Sequence, residues 1–217
     1  MSKYEVAVFD VDGTLLDTTE GVVAAVKHTI ELKGLKALSN DELVTFIGPP
    51  IQDSFARVYG LEGEVLQELA TIFRDFYKGP DLLKAKPYEG IYQLCDELVK
   101  KGVKIAVATY KREDYALDIL KHFGFDRYTK VMYGADHENK LKKVDIIEKC
   151  LKALGVTEYK KAIMIGDSWH DANGAQQIGI DFAGVTYGFG YKSKKDVEKG
   201  YSVGAADSPI ELMKFFG

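Results

Sequence analysis

Short apolar runs alternate with amphipathic helical patterns along most of this 217-residue chain, and that alternation limits its fold more than any other feature. Residues 4–9, YEVAVF, read as a buried strand, and 103–109, 130–134, 162–167 and 181–188 repeat the pattern. Between them, 90–102, 112–124, 143–155 and 170–179 carry apolar residues at helical spacing, and each closes on a glycine, the usual helix stop. Strands alternating with helices imply parallel β-α-β units, hence an α/β fold with a doubly wound, Rossmann-like parallel sheet. Residues 16–86 break the rhythm, with four helical patterns in succession and no convincing strand. The expected organisation is a core of 1–15 and 87–217 carrying an all-helical cap domain at 16–86. Its two connections, near 15–18 and 79–87, form a pair of the kind that can hinge.

Charge and hydropathy remove several classes of function. The net charge is −4, and no Lys/Arg cluster is interleaved with aromatics, so no nucleic-acid surface is expected. Every apolar run falls well short of the ~18 residues of a membrane span. The start, MSKYEVAVFD, enters a strand without a charged-then-apolar leader, which points to a cytoplasmic protein. Cys95 and Cys150 sit in helical patterns among apolar neighbours and read as buried thiols, with a disulfide between them left open.

In an open parallel sheet the active crevice lies at the carboxyl ends of the strands. The first strand delivers Asp10, Asp12, Gly13 and Thr14; the second delivers Thr109, Tyr110 and Lys111. The third leads to the Lys-rich NKLKK at 139–143, and the fourth delivers Gly166 and Asp167, with Asp171 four residues on. Carboxylates gathered this closely need a counter-charge. An oxygen cluster suits Mg²⁺, which takes one or two carboxylates, waters and a phosphate. Asp17 and Asp171 read equally well as helix caps, whereas Asp10 and Asp12 end an apolar strand, where capping is a weak account. Two residues apart on extended backbone, they point the same way, and Gly13 lets the chain turn off sharply. That suits one carboxylate attacking phosphorus while its neighbour moves the proton.

These motifs resemble those of the haloacid dehalogenase-like hydrolases. DVDGT at 10–14 is similar to their first motif, VATYK at 107–111 to the second, Lys143 before VDIIEKCLKALG to the third, and IGDSWHD at 165–171 to the fourth. TFIGPPIQDSF and GDSWHDANGAQQIGIDFAGVTYGFG resemble the phosphoglycolate phosphatase-like subgroup, some members of which are described as 5′-nucleotidases. The resemblance implies Asp10 as nucleophile and metal ligand, and Asp12 as general acid/base with its backbone carbonyl on Mg²⁺. It implies Thr109 and Lys143 on the phosphoryl oxygens, Asp167 as a further ligand, and Asp171 as an acid ordering a metal-bound water or the Lys. Gly13, Tyr110 and Lys111 are candidate substrate contacts. Tyr110 stands where the family often has Asn, so it either stacks on substrate or packs. Lys140 and Lys142 are the alternatives to Lys143. His170 is discounted as a ligand because Mg²⁺ prefers oxygen.

The expected activity is Mg²⁺-dependent hydrolysis of a small phosphorylated metabolite through an aspartyl-phosphate, by a monomer or homodimer. Alternatives are a phosphomutase of the β-phosphoglucomutase type and a phospho-Asp signalling receiver, in which Asp136 would be phosphorylated. Candidate selectivity elements are FIGPP at 46–50 and Arg57, each equally open to a packing role.

Overall fold

The structure, a computed structural model, describes residues 2–138 and 140–217; Asn139 of the Lys-rich segment lies outside them. It contains two compact units, one formed by residues up to Asp17 with Pro87–Gly217, the other by Thr18–Lys86. In chain order, β1 (Val6–Phe9) is followed by the two-residue strand β2 (Leu16–Asp17).

The unit Thr18–Lys86 is helical: α1 (Thr19–Leu32), α2 (Asn40–Val44), α3 (Ile51–Tyr59) and α4 (Glu64–Tyr77), and the two-residue β3 (Lys86–Pro87) straddles its boundary in the chain. Asp17 is in β2, and the N-cap position of α1 falls on Thr18, one residue beyond the acid expected to cap it. A capping box starts α2: Ser39 Oγ accepts from Glu42 N–H, and the Glu42 carboxylate accepts from Ser39 N–H at 2.8 Å. Gly60, at φ 65°, ends α3. The core of this unit is α1 against α4, where Val22, Ala25 and Val26 are buried on one helix and Leu69, Ala70 and Phe73 on the other. Burial of each such side chain contributes about 1–3 kcal/mol before chain entropy is charged against it. Phe46 and Ile47 of the FIGPP loop are buried, with Phe46 edge-on to Phe55 at 5.0 Å. Arg57 donates to the carbonyl and hydroxyl of Thr45, the C-cap of α2, at 2.9 Å each. Both candidate selectivity elements therefore have structural work inside their own unit.

In the other unit, α5 (Ile91–Lys100), β4 (Lys104–Arg112), α6 (Glu113–His122), β5 (Met132–Ala135), α7 (Lys143–Ala153) and β6 (Ala162–Gly166) follow one another. They are succeeded by α8 (Trp169–Ile178), β7 (Asp181–Val185), α9 (Lys194–Glu198) and β8 (Gly204–Ala206). Six strands form one parallel sheet in the order β5-β4-β1-β6-β7-β8. The fold is thus the α/β doubly wound sheet the alternation implies. The order reverses at β1: β4 and β5 are laid down on one side of it, β6 to β8 on the other, which puts the end of β1 at the switch point.

Along β1, Val6 and Val8 pack with Ala106 and Ala108 of β4, Met164 of β6 and Phe182 of β7 into one core layer. Ile146, Ile147, Cys150 and Leu151 of α7 and Ala172 and Ala175 of α8 cover it. Side chains alternate along a strand, so Asp10 continues the face of Val6 and Val8, and Tyr110 that of Ala106 and Ala108. Both thereby point toward the α7 and α8 side. Cys95 and Cys150 are buried free thiols, which closes the disulfide question. Several elements differ from expectation: the short β2 lies within 16–86, and α9 was not expected. Strand β4 runs on to Arg112, with a register shift against β5 between Ala108 and Arg112. Strand β8, Gly-Ala-Ala, is too short and small-chained to announce itself. Among the described residues no helix is long and apolar enough to cross a membrane.

Candidate active site

The tight turn after β1 builds the first part of the site. Val11 carbonyl accepts from the N–H groups of Thr14, Leu15 and Leu16 at 3.0–3.2 Å, and Gly13 N–H donates to Leu16 carbonyl at 2.9 Å. Gly13 holds φ +80°, and a Cβ there would run into the Asp167 carboxylate. Its glycine therefore serves twice, permitting the left-handed turn and making room for an acid from another strand. A substrate contact is not needed to explain it.

Asp10, Asp12, Thr109, Lys143, Asp167 and Asp171 are all buried. Lys143, the first residue of α7, reaches Asp10 Oδ1 and Asp171 Oδ1, both at 2.8 Å, and donates to Ala108 carbonyl at 3.1 Å. Lys140 and Lys142 are exposed, so Lys143 alone of the three enters the acid cluster. Burial lowers the Lys143 pKa, but Asp10 and Asp171 outweigh it, and the ammonium is held above its usual range. Asp171 Oδ2 accepts from the N–H and the hydroxyl of Ser168, at 3.2 and 2.7 Å. Asp171 is thus both a helix-start acid of α8 and a partner of Lys143, which unites the two readings open for it in sequence.

Asp167 is anchored by backbone. Its Oδ2 accepts from the N–H of Phe189 and Gly190 at 2.7 and 3.0 Å, and its carbonyl accepts from Tyr191 N–H at 2.8 Å. A Cβ at Gly188 or Gly190 would strike Gly13 or Asp167 backbone. This 188–190 loop and Ser168 were not picked out from sequence. The Gly-x-Gly spacing was visible, but its contact with Asp167 is made only by the turn after β7.

Oxygen atoms of Asp10, Asp167 and Asp171 lie within 4.8 Å of one another. Burial, with the charges of Asp171 and Asp12 adding to it against Lys143, pushes the Asp10 pKa up to about 7. Burial, then Asp171 and Asp10, push Asp167 up to about 8 despite its backbone donors. Three carboxylates and one ammonium leave two excess negative charges when all are ionised. An oxygen-only donor set short of two positive charges fits a hard divalent cation.

Asp12 stands apart from this triad: its Oδ1 pairs with Lys111 Nζ at 3.1 Å, both side chains 6% exposed. Lys111 is thereby engaged by the second acid of the first motif. Thr109 Oγ accepts from Lys111 N–H at 3.1 Å. The Tyr110 hydroxyl accepts from Lys143 backbone N–H at 3.0 Å, and the ring lies 5.2 Å from Lys143 Nζ. Its hydroxyl thereby helps fix the start of α7. Tyr110→Phe is therefore expected to lower turnover several-fold and stability by about 1–2 kcal/mol, by leaving the Lys143 N–H without its acceptor. Thermal melts with steady-state rates check this. Asp136, the receiver-type candidate, accepts from the N–H groups of Glu138, Lys140 and Leu141 and is committed to its own loop.

The profile of the family "Haloacid dehalogenase-like hydrolase" matches residues 7–185. The chain is similar to a 5′-nucleotidase of Pseudomonas aeruginosa, 33% identical over 87% of this chain and 85% of that one. It is also similar to pyrophosphatase PpaX of Halalkalibacterium halodurans, 33% identical over 82% of each chain. A crystal structure titled as a predicted phosphatase from Clostridium acetobutylicum superposes with a TM-score of 0.91 at 32% identity, covering 98% of both chains. Profile, relatives and superposition agree with the acids gathered at the end of β1: the chain belongs to the haloacid dehalogenase-like hydrolases.

Proposed function

We propose that this hydrolase is a Mg²⁺-dependent phosphatase that cleaves small phosphate monoesters through an aspartyl-phosphate on Asp10. The observation that carries the reading is the buried bridge from Asp10 through Lys143 to Asp171, with Asp167 within 4.8 Å. Asp10 Oδ1 is taken by Lys143, and Asp167 Oδ2 by two backbone N–H groups. Asp10 and Asp167, with the Asp12 backbone carbonyl, would hold the ion. Bound there, Mg²⁺ supplies the charge that offsets repulsion between carboxylate and phosphate.

The remaining steps belong to the chain. An Asp10 carboxylate oxygen attacks phosphorus, and the leaving oxygen takes a proton from Asp12. Asp12 then takes a proton from the water that attacks phosphorus of the acyl phosphate, so Asp10 and inorganic phosphate are released. To serve either step, the Asp12 carboxylate must exchange Lys111 for the reacting oxygen. Lys143 and the Thr109 hydroxyl hold phosphoryl oxygens, and Lys143 matches the charge that builds in the transition state. The helical unit 18–86 acts as the cap that admits the leaving group and excludes water. The relatives' names differ in leaving group, so the substrate rests on experiment: phosphate release measured over nucleoside monophosphates, phosphoglycolate, sugar phosphates and pyrophosphate. EDTA is expected to stop release and Mg²⁺ to restore it; turnover unchanged by EDTA would exclude the metal.

Two further results are expected. Asp12→Asn slows turnover about 10²–10⁴-fold. With 4-nitrophenyl phosphate, whose leaving group needs no proton, this variant should give a burst of one nitrophenolate per enzyme before the slow phase. Absence of a burst would remove Asp12 from the water-activating step.

The second concerns pH. The folded-state pKa values of Asp10 and Asp167, about 7 and about 8, lie above the unfolded value. At these two carboxyls the folded protein therefore binds more protons than the unfolded one between about pH 4 and 8. Without metal, their contribution to stability falls as pH rises through that window. Mg²⁺ should raise the melting temperature more at pH 8 than at pH 5, which a melt series with and without the ion reads directly.

A further inference from the structure

We propose that Trp169 and His170 form an aromatic platform that selects phosphate monoesters whose leaving group carries a planar ring. The inference rests on the phosphatase reading above and concerns which ester that same site takes. Trp169 is 62% exposed, the one aromatic among the exposed large hydrophobic residues described. It is not a stray surface side chain. It stands two residues after Asp167 and two before Asp171, at the first position of α8.

Its ring lies 3.8 Å from that of His170, with 30° between their planes. His170 in turn meets Tyr110 edge-on at 5.4 Å and 85°. Tyr110 lies 5.2 Å from the Lys143 ammonium, and that ammonium lies 2.8 Å from Asp10. A row of rings thus leads from the ammonium that would hold the phosphoryl group out to solvent. Its inner members are fixed by packing and by the hydrogen bond from Lys143 N–H to the Tyr110 hydroxyl. Its outer member is held by stacking and keeps most of its surface in water. A rigid indole costs little side-chain entropy to immobilise, and its face stacks on any planar ring. An aliphatic leaving group such as glycolate presents no such face. Esters of a nucleoside, or of a phenol, do.

Trp169 is the single tryptophan of the chain, so its emission reports on this place alone. The test uses adenosine 5′-monophosphate and ribose 5-phosphate, which share the phosphate and sugar and differ in the base. Each is titrated into the full-length Asp10→Asn protein with Mg²⁺, so that ligand binds without turnover. Adenosine 5′-monophosphate is expected to quench the emission saturably, reversed by inorganic phosphate, while ribose 5-phosphate leaves it unchanged. In the otherwise wild-type enzyme, Trp169→Ala should lower kcat/KM for adenosine 5′-monophosphate about tenfold and for ribose 5-phosphate less than about twofold, with Trp169→Phe restoring most of the loss. Equal responses to the two esters, no quenching by either, or an equal loss for both in Trp169→Ala overturns the platform. Failure of the phosphatase reading looks different: no ester releases phosphate from the wild-type enzyme, whatever the emission does.

Discussion

Asp10→Asn is expected to lower phosphate release by about 10⁴-fold or more while leaving the protein at least as stable as the parent. The two halves of this expectation come from one geometry. The amide has nearly the volume of the carboxylate, so the turn 11–16 and the β1 pairing stay in place. It offers no anionic oxygen to phosphorus, so the acyl phosphate cannot form. Lys143 keeps Asp171 as a partner at 2.8 Å and is not left as a lone buried cation. The carboxylate removed is one that burial pushes up to about 7. Its ionised form is therefore a burden on the fold above the unfolded carboxylate range, and nothing below it. In the absence of metal the variant should melt at the parent's temperature near pH 4 and above it at pH 8. Phosphate release and melts across that range test both halves. Turnover above about a tenth of the parent's would remove Asp10 as nucleophile, and a large loss of stability would mean that the amide has disturbed the turn.

Much of this site was legible because strand ends are legible. Asp10 and Asp12 follow an apolar run, Asp167 follows another, and alternation along the strand assigns Asp10 to the face that α7 covers. The choice of Lys143 over its neighbours was legible through its place at the helix start. What sequence did not carry is whatever depends on a second element arriving. Gly13 reads as a turn glycine, yet the crowding of Asp167 against it is visible only when β1 and β6 lie side by side. Lys111 reads as a candidate substrate contact, yet it pairs with Asp12 across two strands. Tyr110 was ambiguous for the same reason, since its hydrogen-bond partner is 33 residues away on α7. Strand β8 was invisible because Gly-Ala-Ala has no β-branched or large residue; its pairing with β7 makes it a strand.

Lys143→Met shows how far the cluster depends on its one buried cation. Methionine keeps the length and packing of the stem but supplies no charge, so Asp10 and Asp171 are left facing Asp167 without a counter-ion. Breaking a buried pair from one side costs about 3–5 kcal/mol, because the remaining charges stay desolvated. For a chain of this size that corresponds to a melting temperature lower by roughly 10 °C. Activity should fall further than stability explains, by about 10²–10³-fold, since the ammonium also meets charge that develops on the phosphoryl oxygens. Two controls separate these effects. Loss of Lys143 removes what holds down the Asp10 pKa, so the folded carboxyl keeps its proton to higher pH. The part of the stability deficit that comes from Asp10 should therefore widen as pH rises above about 7, where the parent's Asp10 ionises and the variant's does not, and stay flat below it. Adding Asp171→Asn removes one of the two stranded carboxylates and should recover much of the melting temperature, while phosphate release stays low. A double variant that recovered activity along with stability would make Lys143 a structural counter-ion only. One that recovered neither would show that Asp171 supports α8 through Ser168 more than it supports the lysine.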